Sequence, residues 1–189
     1  MKNILPFRKQ RQAQPSFEEL LRPHLDHLYR LAFRFCQNQH DAEDLVQDLL
    51  VKLYPRHAEV ARVERLRPWL VTTLYRMFID GTRRKSRSRL ELIDDETSFY
   101  DSVASGDDRP EQTLAREQSI SQMEAAFARL SDDHRTLLSL HDIEGYRLVE
   151  LEEMLDIPLG TLKSRVHRAR ARMRELLKEM ADQAIDGAA

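Results

Sequence analysis

The densest positive charge in the sequence lies in the segment IPLGTLKSRVHRARARMRELL, residues 157–177. The whole chain has a formal net charge of -2, with 30 basic and 32 acidic residues among 189, so this charge is a local concentration. Arginine and lysine at such density neutralise phosphates, which is the first requirement of nucleic-acid binding. Few acidic residues stand four positions away until Glu175, so we expect no lattice of salt bridges on this segment. The six cations are Lys163, Arg165, Arg168, Arg170, Arg172 and Arg174.

The same segment has the two-sided pattern of a helix that packs on one face and reads DNA on the other. Small and hydrogen-bonding residues, Thr161 and Ser164, stand near its start and opposite an apolar stripe at about 100° per residue. A recognition helix needs base-reading side chains at its start and phosphate-neutralising cations farther along. The alternative is the solvated face of a carboxyl-terminal helix, but the unpaired charge favours contact with DNA. The stripe consists of Leu162, Val166, Ala169 and Met173.

A face of another predicted helix, in the amino-terminal half, is acidic. It carries Asp41, Asp44 and Asp48, with Gln47 between the last two. Taken alone, such a charged face is more often ordinary solvated surface than a binding site.

A third candidate patch combines cations with aromatic rings. The basic run RRKSRSR, residues 83–89, follows a predicted helix that carries Trp69, Tyr75 and Phe78. Cations beside aromatic rings suit melted DNA, because bases stack on the rings while the cations neutralise phosphates. For Trp69 and Phe78, packing in a hydrophobic core is the simpler interpretation.

The elements that must position these patches are helices. In the first block, Ser16 and Glu19 have the spacing of a capping box. The helix that they open is followed by one from near Asp41 and one from about Arg67 into the basic run. The expected core residues are Leu20, Leu21, Leu28, Leu31, Ala32, Phe35, Leu45, Leu49, Leu53, Leu70, Leu74 and Met77.

Helical spacing resumes after residue 113. Ser131 is the expected N-cap of a helix whose first turn holds Asp132 and Asp133, and this helix stops near Gly145. The short helix RLVELEEML and the turn DIPL then lead into the basic helix, which is the order of a helix-turn-helix. The apolar positions are Leu114, Ile120, Met123, Phe127, Leu130, Leu137, Leu138, Leu140, Leu148, Leu151 and Leu155.

Composition sets the class of protein. Residues 90–113 are acidic, lack helical periodicity and contain Pro110, which predicts a linker between two helical blocks. No strand pattern is convincing, so the predicted fold class is all-α, with two small helical domains. No apolar run reaches the ~18 residues of a membrane span, and the basic start lacks the features of a signal peptide. A single cysteine, Cys36, excludes an internal disulfide and fits the reducing cytoplasm.

Two other hypotheses compete with a DNA-binding protein that uses both helical domains. A stand-alone helix-turn-helix regulator explains residues 144–178 but leaves the acidic face and the basic run without a role. A metal site could use His24, His27, Cys36 and His40, but their spacing matches no common ligand arrangement, so we expect no metal or other cofactor. No nucleophile–base pair or phosphate loop supports an enzyme, and no catalytic residue is assigned.

Three segments together resemble a known family. DAEDLVQDLLVKLY (41–54), WLVTTLYRMFIDGTRRKSR (69–87) and EGYRLVELEEMLDIPLGTLKSRVHRAR (144–170) look like the second and fourth regions of bacterial sigma-70 factors. The missing other regions and the short linker resemble the extracytoplasmic-function (ECF) subgroup. The resemblance implies a basic amino terminus at 1–15, region 2 at 16–89, the linker at 90–113, region 4 at 114–180 and a tail at 181–189.

The resemblance implies roles for named residues. The helix 41–54 would dock on the β′ clamp helices of core RNA polymerase, and region 4 would also meet the β flap. The helix after 69, with the loop 55–68, would recognise and open the −10 element, and region 4 would read the −35 element. The polymerase contacts would be Asp41, Asp44, Gln47 and Asp48; the −10 contacts Trp69, Tyr75, Arg76, Asp80, Arg83 and Arg84; the −35 base readers Lys163, Ser164, His167 and Arg168, with Thr161 and Arg165 on phosphates.

The resemblance also implies partners and a setting. We expect core polymerase and promoter DNA as partners, an anti-sigma factor that can be membrane-bound, no small-molecule substrate, and a cytoplasmic role in a stress response. Some positions depart from the family pattern. Arg76 stands where an asparagine is common, Glu152 replaces a small residue, Asp156 replaces a glycine, and the loop 55–68 lacks its aromatic residue.

Overall fold

The computed structural model describes residues 15–91 and 112–186, with side chains for 15–84 and 119–183. All regular structure in these ranges is helical, which confirms the all-α prediction. The predicted linker and the two chain ends lie almost entirely outside the described residues, as do the side chains of Lys85, Arg87, Arg89 and Leu114.

The first unit consists of five helices joined by short turns. Its elements are α1 (Phe17–Leu21), α2 (Leu25–Cys36), α3 (Gln39–Leu53), α4 (His57–Val60) and α5 (Leu66–Glu91), with 3₁₀ turns at Arg22–His24 and Tyr54–Arg56. The second unit contains α6 (Gln112–Ala128), α7 (Asp132–Leu138), a π-helical turn (Ser139–Ile143), α8 (Leu148–Leu155) and α9 (Leu159–Asp186).

The capping signals in the sequence determine where several helices begin. Oγ of Ser16 accepts from the amide of Glu19 at 3.2 Å, and the Glu19 carboxylate accepts from the amide of Ser16 at 2.8 Å, so the capping box is confirmed. Ser131 likewise accepts from the amide of His134 and begins α7. Helix α3 begins two residues before the predicted start, because Asn38 accepts from the amide of Asp41 and is the N-cap.

The prediction of one continuous helix from Ser16 to Phe35 is wrong. The structure divides it into α1 and α2 at the 3₁₀ turn Arg22–His24, which contains Pro23. Proline has no amide hydrogen to donate and its ring crowds the preceding turn, so an α-helix does not continue through it undisturbed. Leu21, Leu28, Leu31 and Phe35 are nevertheless buried as expected, because the two helices keep their apolar faces on one core.

The prediction that the apolar residues of α6 are buried is wrong for the amino-terminal part of this helix. Ile120 and Met123 are 49% and 56% exposed, whereas Ala126 and Leu130 are buried. Burial is confined to the later residues because they lie in a small core that also holds Ala169 and Leu176 of α9. The apolar periodicity was present in the sequence, but only its last turn meets a partner in the described residues.

Asp156 has a left-handed backbone conformation, with φ of 56°, at the end of α8. This conformation favours glycine, because a Cβ in this region costs about 1–2 kcal/mol, which exceeds glycine's extra loss of chain entropy of about 0.5–1 kcal/mol. We therefore expect Asp156→Gly to raise the free energy of unfolding by about 0.5 kcal/mol, measured by urea denaturation. Asp156→Ala is the control and should lower it, because alanine lacks the local hydrogen bonding that lets aspartate tolerate this conformation; a gain with alanine would contradict the strain argument.

The two units pack against each other. Leu137, Leu140 and Leu151 of the second unit belong to the same buried cluster as Leu28 and Leu31 of the first. The result is one continuous core that extends from α2 through the helix-turn-helix.

A buried guanidinium adds polar bonds to this interface. Arg135 of α7 is 5% exposed. Its Nε and Nη2 donate to the carbonyl oxygen of Phe35, in the last turn of α2, at 3.2 and 3.0 Å. It also donates to the carbonyls of Ala128 and Leu130 and to the carboxylate of Asp132, so its charge is fully bonded. Arg135 thus links the end of α2 to the start of α7.

Candidate nucleic-acid interface

Helix α9 has the two faces that its sequence predicts. Leu162, Val166 and Ala169 are buried in the two cores, and Met173 packs at the edge of the second. The outer face near its start is solvent-exposed and carries two cations and two hydrogen-bonding groups, so it can present side chains to a DNA groove. These exposed residues are Lys163, Ser164, His167 and Arg168.

Two of the cations on α9 are paired with carboxylates, although the sequence predicted unpaired charge. Arg170 donates to both oxygens of Asp142, at the end of the π-helical turn. Arg172 pairs with Glu175 at 3.1 Å and Glu179 at 3.0 Å. The expectation that salt bridges would not cover this segment is therefore wrong for these two arginines. Asp142 was missed because it lies 28 residues away in the sequence, outside any search at helical spacing.

Two predicted −35 residues are less exposed than the others. Thr161 is half-buried, and its carbonyl oxygen accepts from the Ser164 hydroxyl at 2.9 Å. Arg165 is also half-buried and, together with Tyr75 and Asp133, lines a small cavity between the two units.

Glu152 positions the start of α9. Its carboxylate accepts from the amide of Leu159, the first residue of α9, at 2.8 Å. A carboxylate at this end is favourable because the first amides of a helix are unpaired and carry partial positive charge. Helices α8 and α9 still pack closely, since Leu151 and Leu162 are completely buried. Glu152, which stands where we expected a small residue, thus caps the start of α9.

Helix α5 separates its aromatic and charged side chains. Trp69 and Tyr75 are half-buried against the core, and Phe78 is 7% exposed. The interpretation of Trp69 and Phe78 as core residues is confirmed. Four charged residues within the described part of this helix are solvent-exposed and form the candidate −10 surface: Arg76, Asp80, Arg83 and Arg84.

Helix α3 presents the acidic face to solvent. Asp41, Asp44, Gln47 and Asp48 are all exposed. Sequence reasoning missed that two apolar residues continue this face toward the end of the helix. Val51 is 68% exposed and Tyr54 is 66% exposed. Their spacing of four and seven residues from Gln47 was the available signal, because such residues share one side of a helix.

The histidines considered as metal ligands lie in other environments. Nε2 of His27 is 3.3 Å from the Glu144 carboxylate, and Nδ1 is 3.3 Å from Nη2 of Arg67. Because a guanidinium can only donate, Nδ1 accepts and the ring proton is on Nε2. Burial lowers the pKa of His27, opposed by the Glu144 charge. Within residues 15–84 and 119–183, no three metal-ligating side chains cluster.

Comparison with known proteins gives these surfaces a family. Residues 20–88 match the family described as Sigma-70 region 2, and residues 120–173 match the one described as Sigma-70, region 4. The chain is 35% identical over 176 residues to the ECF RNA polymerase sigma factor SigE of Mycolicibacterium smegmatis, a match that covers 93% of this chain and 67% of that protein. It is 26% identical over 173 residues to the ECF RNA polymerase sigma factor SigW of Bacillus subtilis, covering 88% and 91% of the two chains.

A solved structure supports the same assignment. The chain resembles the sigma factor RpoE, in complex with the anti-sigma factor NepR from Bartonella quintana, with a TM-score of 0.65 and 29% identity. The match covers 86% of this chain and 96% of that one.

The two family matches, in this order along one chain, define a class of protein: a transcription initiation factor that gives RNA polymerase its promoter specificity. The chain belongs to the sigma-70 family, in its ECF subgroup. In the part of the chain that the structure describes, no helix has the length and apolar character needed to cross a membrane.

Proposed function

We propose that this chain recruits core RNA polymerase and directs it to promoters through two separate DNA contacts. The observation that carries the proposal is that region 2 and region 4 both occur in one chain, and each presents an exposed charged surface. Two weak contacts on one polymerase reinforce each other, because the second binding event is intramolecular once the first has formed. The free chain should therefore bind duplex DNA weakly.

For the −35 element, we assign the start of α9 to the major groove. Arg168 and Lys163 suit guanine, whose O6 and N7 accept hydrogen bonds, and Ser164 and His167 can bond to other base edges. These four side chains are exposed on one end of the helix, which supports the assignment. Thr161 and Arg165 would hold phosphates beside the groove.

For the −10 element, we assign the exposed side of α5. Arg76, Arg83 and Arg84 supply positive charge for the backbone of the melted strand, and Asp80 can accept from a base. Tyr75 and Trp69 offer ring edges next to these charges. Arg76 in place of the common asparagine adds a cation at a usual base contact, so we expect a −10 preference that differs from that of factors with asparagine.

For core polymerase, we assign the acidic face of α3, with Asp41, Asp44, Gln47 and Asp48, to the β′ clamp helices. The exposed Val51 and Tyr54 extend this face with apolar area, and an apolar centre bordered by charge is typical of protein interfaces. Region 4 would meet the β flap.

The factor would act in the cytoplasm without catalytic activity, cofactor or small-molecule substrate of its own. An anti-sigma factor is its expected regulator, since a similar solved structure is a sigma factor in complex with one.

Reconstitution tests the proposal. Adding the chain to core polymerase should yield a run-off transcript of defined length from a promoter with suitable −35 and −10 elements. Core polymerase alone, and a template with a scrambled −35 element, are the controls. If the chain fails to bind core polymerase, the proposal is wrong; tight operator binding without polymerase would favour a stand-alone regulator.

A further inference from the structure

The end of α8 and the turn that follows it place two carboxylates beside the start of the proposed DNA-reading helix. The Glu152 carboxylate accepts from the amide of Leu159, the first residue of α9, at 2.8 Å. The main-chain carbonyl of Glu152 accepts from the amide of Asp156 at 3.0 Å, which closes the end of α8. Asp156 is solvent-exposed and stands three residues before α9 begins. We call Glu152 and Asp156 the acidic pair.

The charge of the acidic pair is not neutralised by a neighbouring cation. Within the described side chains, 15–84 and 119–183, neither carboxylate forms an ion pair. The paired arginines of α9, Arg170 and Arg172, bond to other carboxylates. Both members of the acidic pair also stand where we expected an uncharged residue, a small one at 152 and a glycine at 156. The two departures thus add negative charge at one place.

The start of a helix is ordinarily a favourable place for a DNA phosphate. Its first amides are unpaired and carry partial positive charge, which attracts anions. Helix starts are accordingly among the groups that contact phosphates in protein–DNA complexes. In α9 the amide of Leu159 is already bonded to the Glu152 carboxylate. A phosphate that approached this amide would have to displace a group of its own charge, so the acidic pair keeps the DNA backbone away from the start of α9.

The acidic pair is close enough to the base-reading residues for its charge to act on bound DNA. Lys163 and Ser164 follow Leu159 by four and five residues, which is about 6–8 Å along a helix. The major groove is about 12 Å wide, so a helix that reads it has phosphates on both sides. Charges interact over a Debye length of about 10 Å at 0.1 M salt. We therefore expect the acidic pair to repel these phosphates when α9 is docked.

We propose that the acidic pair lowers the sequence-independent affinity of region 4 for DNA, so that −35 recognition depends on base contacts and on attachment to polymerase. The inference rests on the proposed function, because it requires α9 to be the helix that enters the groove. Non-specific sites compete with a promoter in proportion to their number. A region 4 that is repelled by phosphates is not retained at these sites.

Neutral variants of nearly the same shape test the proposal. Glu152→Gln keeps an oxygen that can accept from Leu159, and Asp156→Asn keeps a side chain that tolerates the left-handed conformation. We expect each variant to bind a scrambled duplex about twofold more tightly, and the double variant about fourfold, because repulsion over ~10 Å is lost. Fluorescence anisotropy of the full chain with a labelled duplex in about 50 mM KCl gives the affinity. The gain should be equal on a −35 duplex, and it should shrink at about 200 mM KCl, because salt screens the repulsion.

Two controls separate the local charge from other effects. Glu152→Asp shortens the side chain but keeps its charge, so the affinity for the scrambled duplex should stay that of the unsubstituted chain. Asp182→Asn removes a charge at an exposed position of α9, about 34 Å along the helix from Leu159. It should also have no effect, because this distance exceeds the Debye length. Circular dichroism should show the same helicity in all variants.

Several results would overturn the proposal. One is an unchanged affinity in the double variant, and another is an equal gain with Glu152→Asp or Asp182→Asn. A gain confined to the −35 duplex would also overturn it, because the carboxylates would then act on bases and not on the backbone. Failure of the proposed function appears separately, as absent run-off transcription by the unsubstituted chain with core polymerase.

Discussion

Arg168→Ala should lower transcription from a promoter with a −35 element by about fivefold or more, while binding to core polymerase stays unchanged. Arg168 is exposed near the start of α9, where a guanidinium can reach the edge of a guanine. A bidentate contact of this kind contributes about 1–3 kcal/mol of discrimination, which corresponds to about 5- to 150-fold in affinity. The measurement is run-off transcription at limiting holoenzyme, with polymerase binding followed by fluorescence anisotropy.

Arg174→Ala is the matched control for this substitution. Arg174 is an exposed arginine on the same helix, six residues farther along and therefore on a different side. It should have an effect of about twofold or less, since a phosphate contact or a free surface charge carries no base preference. Loss of both transcription and polymerase binding in Arg168→Ala would mean that α9 is not the −35 reader.

Asp48→Lys should weaken binding to core polymerase by about 10- to 100-fold. The reversal places like charge where we propose a basic partner surface, and such a juxtaposition costs several kcal/mol at an interface. Asp48 is exposed in the second half of α3. Because Asp48 is exposed, and a surface substitution usually changes stability by ~0.5 kcal/mol or less, α3 should stay folded in the variant. Titration of labelled core polymerase gives the affinity.

Glu64→Lys separates a specific contact from a general change in charge. Glu64 is exposed in the turn that precedes α5, outside α3 and its acidic face, and it undergoes the same reversal of charge. Its reversal should change polymerase affinity by about twofold or less. Equal losses in the two variants would contradict the acidic face as the docking surface and indicate a long-range effect of net charge.

Local patterns predicted most of the fold. The capping box at Ser16, the N-cap at Ser131 and the stripe of Leu162, Val166 and Ala169 depend only on residues within a few turns of each other, so the sequence carries the full signal. Pro23 is also a local signal, because a proline inside a helical pattern indicates a break between two helices. The exposure of Ile120 and Met123 could not be read in this way, because periodicity shows which face is apolar but not which element covers it.

The contacts between the units were beyond local reasoning. Arg34 and Glu144 are 110 residues apart, and Arg135 and Phe35 are 100 apart, so no spacing rule connects them. Arg34, Arg135 and Glu144 each look like an ordinary surface charge in the sequence. The assigned DNA and polymerase residues are on the surface as the sequence indicated, apart from Thr161, Arg165, Trp69 and Tyr75, which are half-buried. Their roles remain predictions.

The bond from Glu152 to the amide of Leu159 makes the proposed DNA-reading helix suitable for exchange of its specificity. A residue of α8 caps the start of α9, and three buried side chains, Leu162, Val166 and Ala169, hold α9 against the core. These three residues lie on the opposite side of the helix from the proposed DNA-reading face. The four exposed positions Lys163, Ser164, His167 and Arg168 can therefore be varied together in a library without disturbing the scaffold that aims them. Such a library offers a route to orthogonal promoter–factor pairs for engineered transcription circuits.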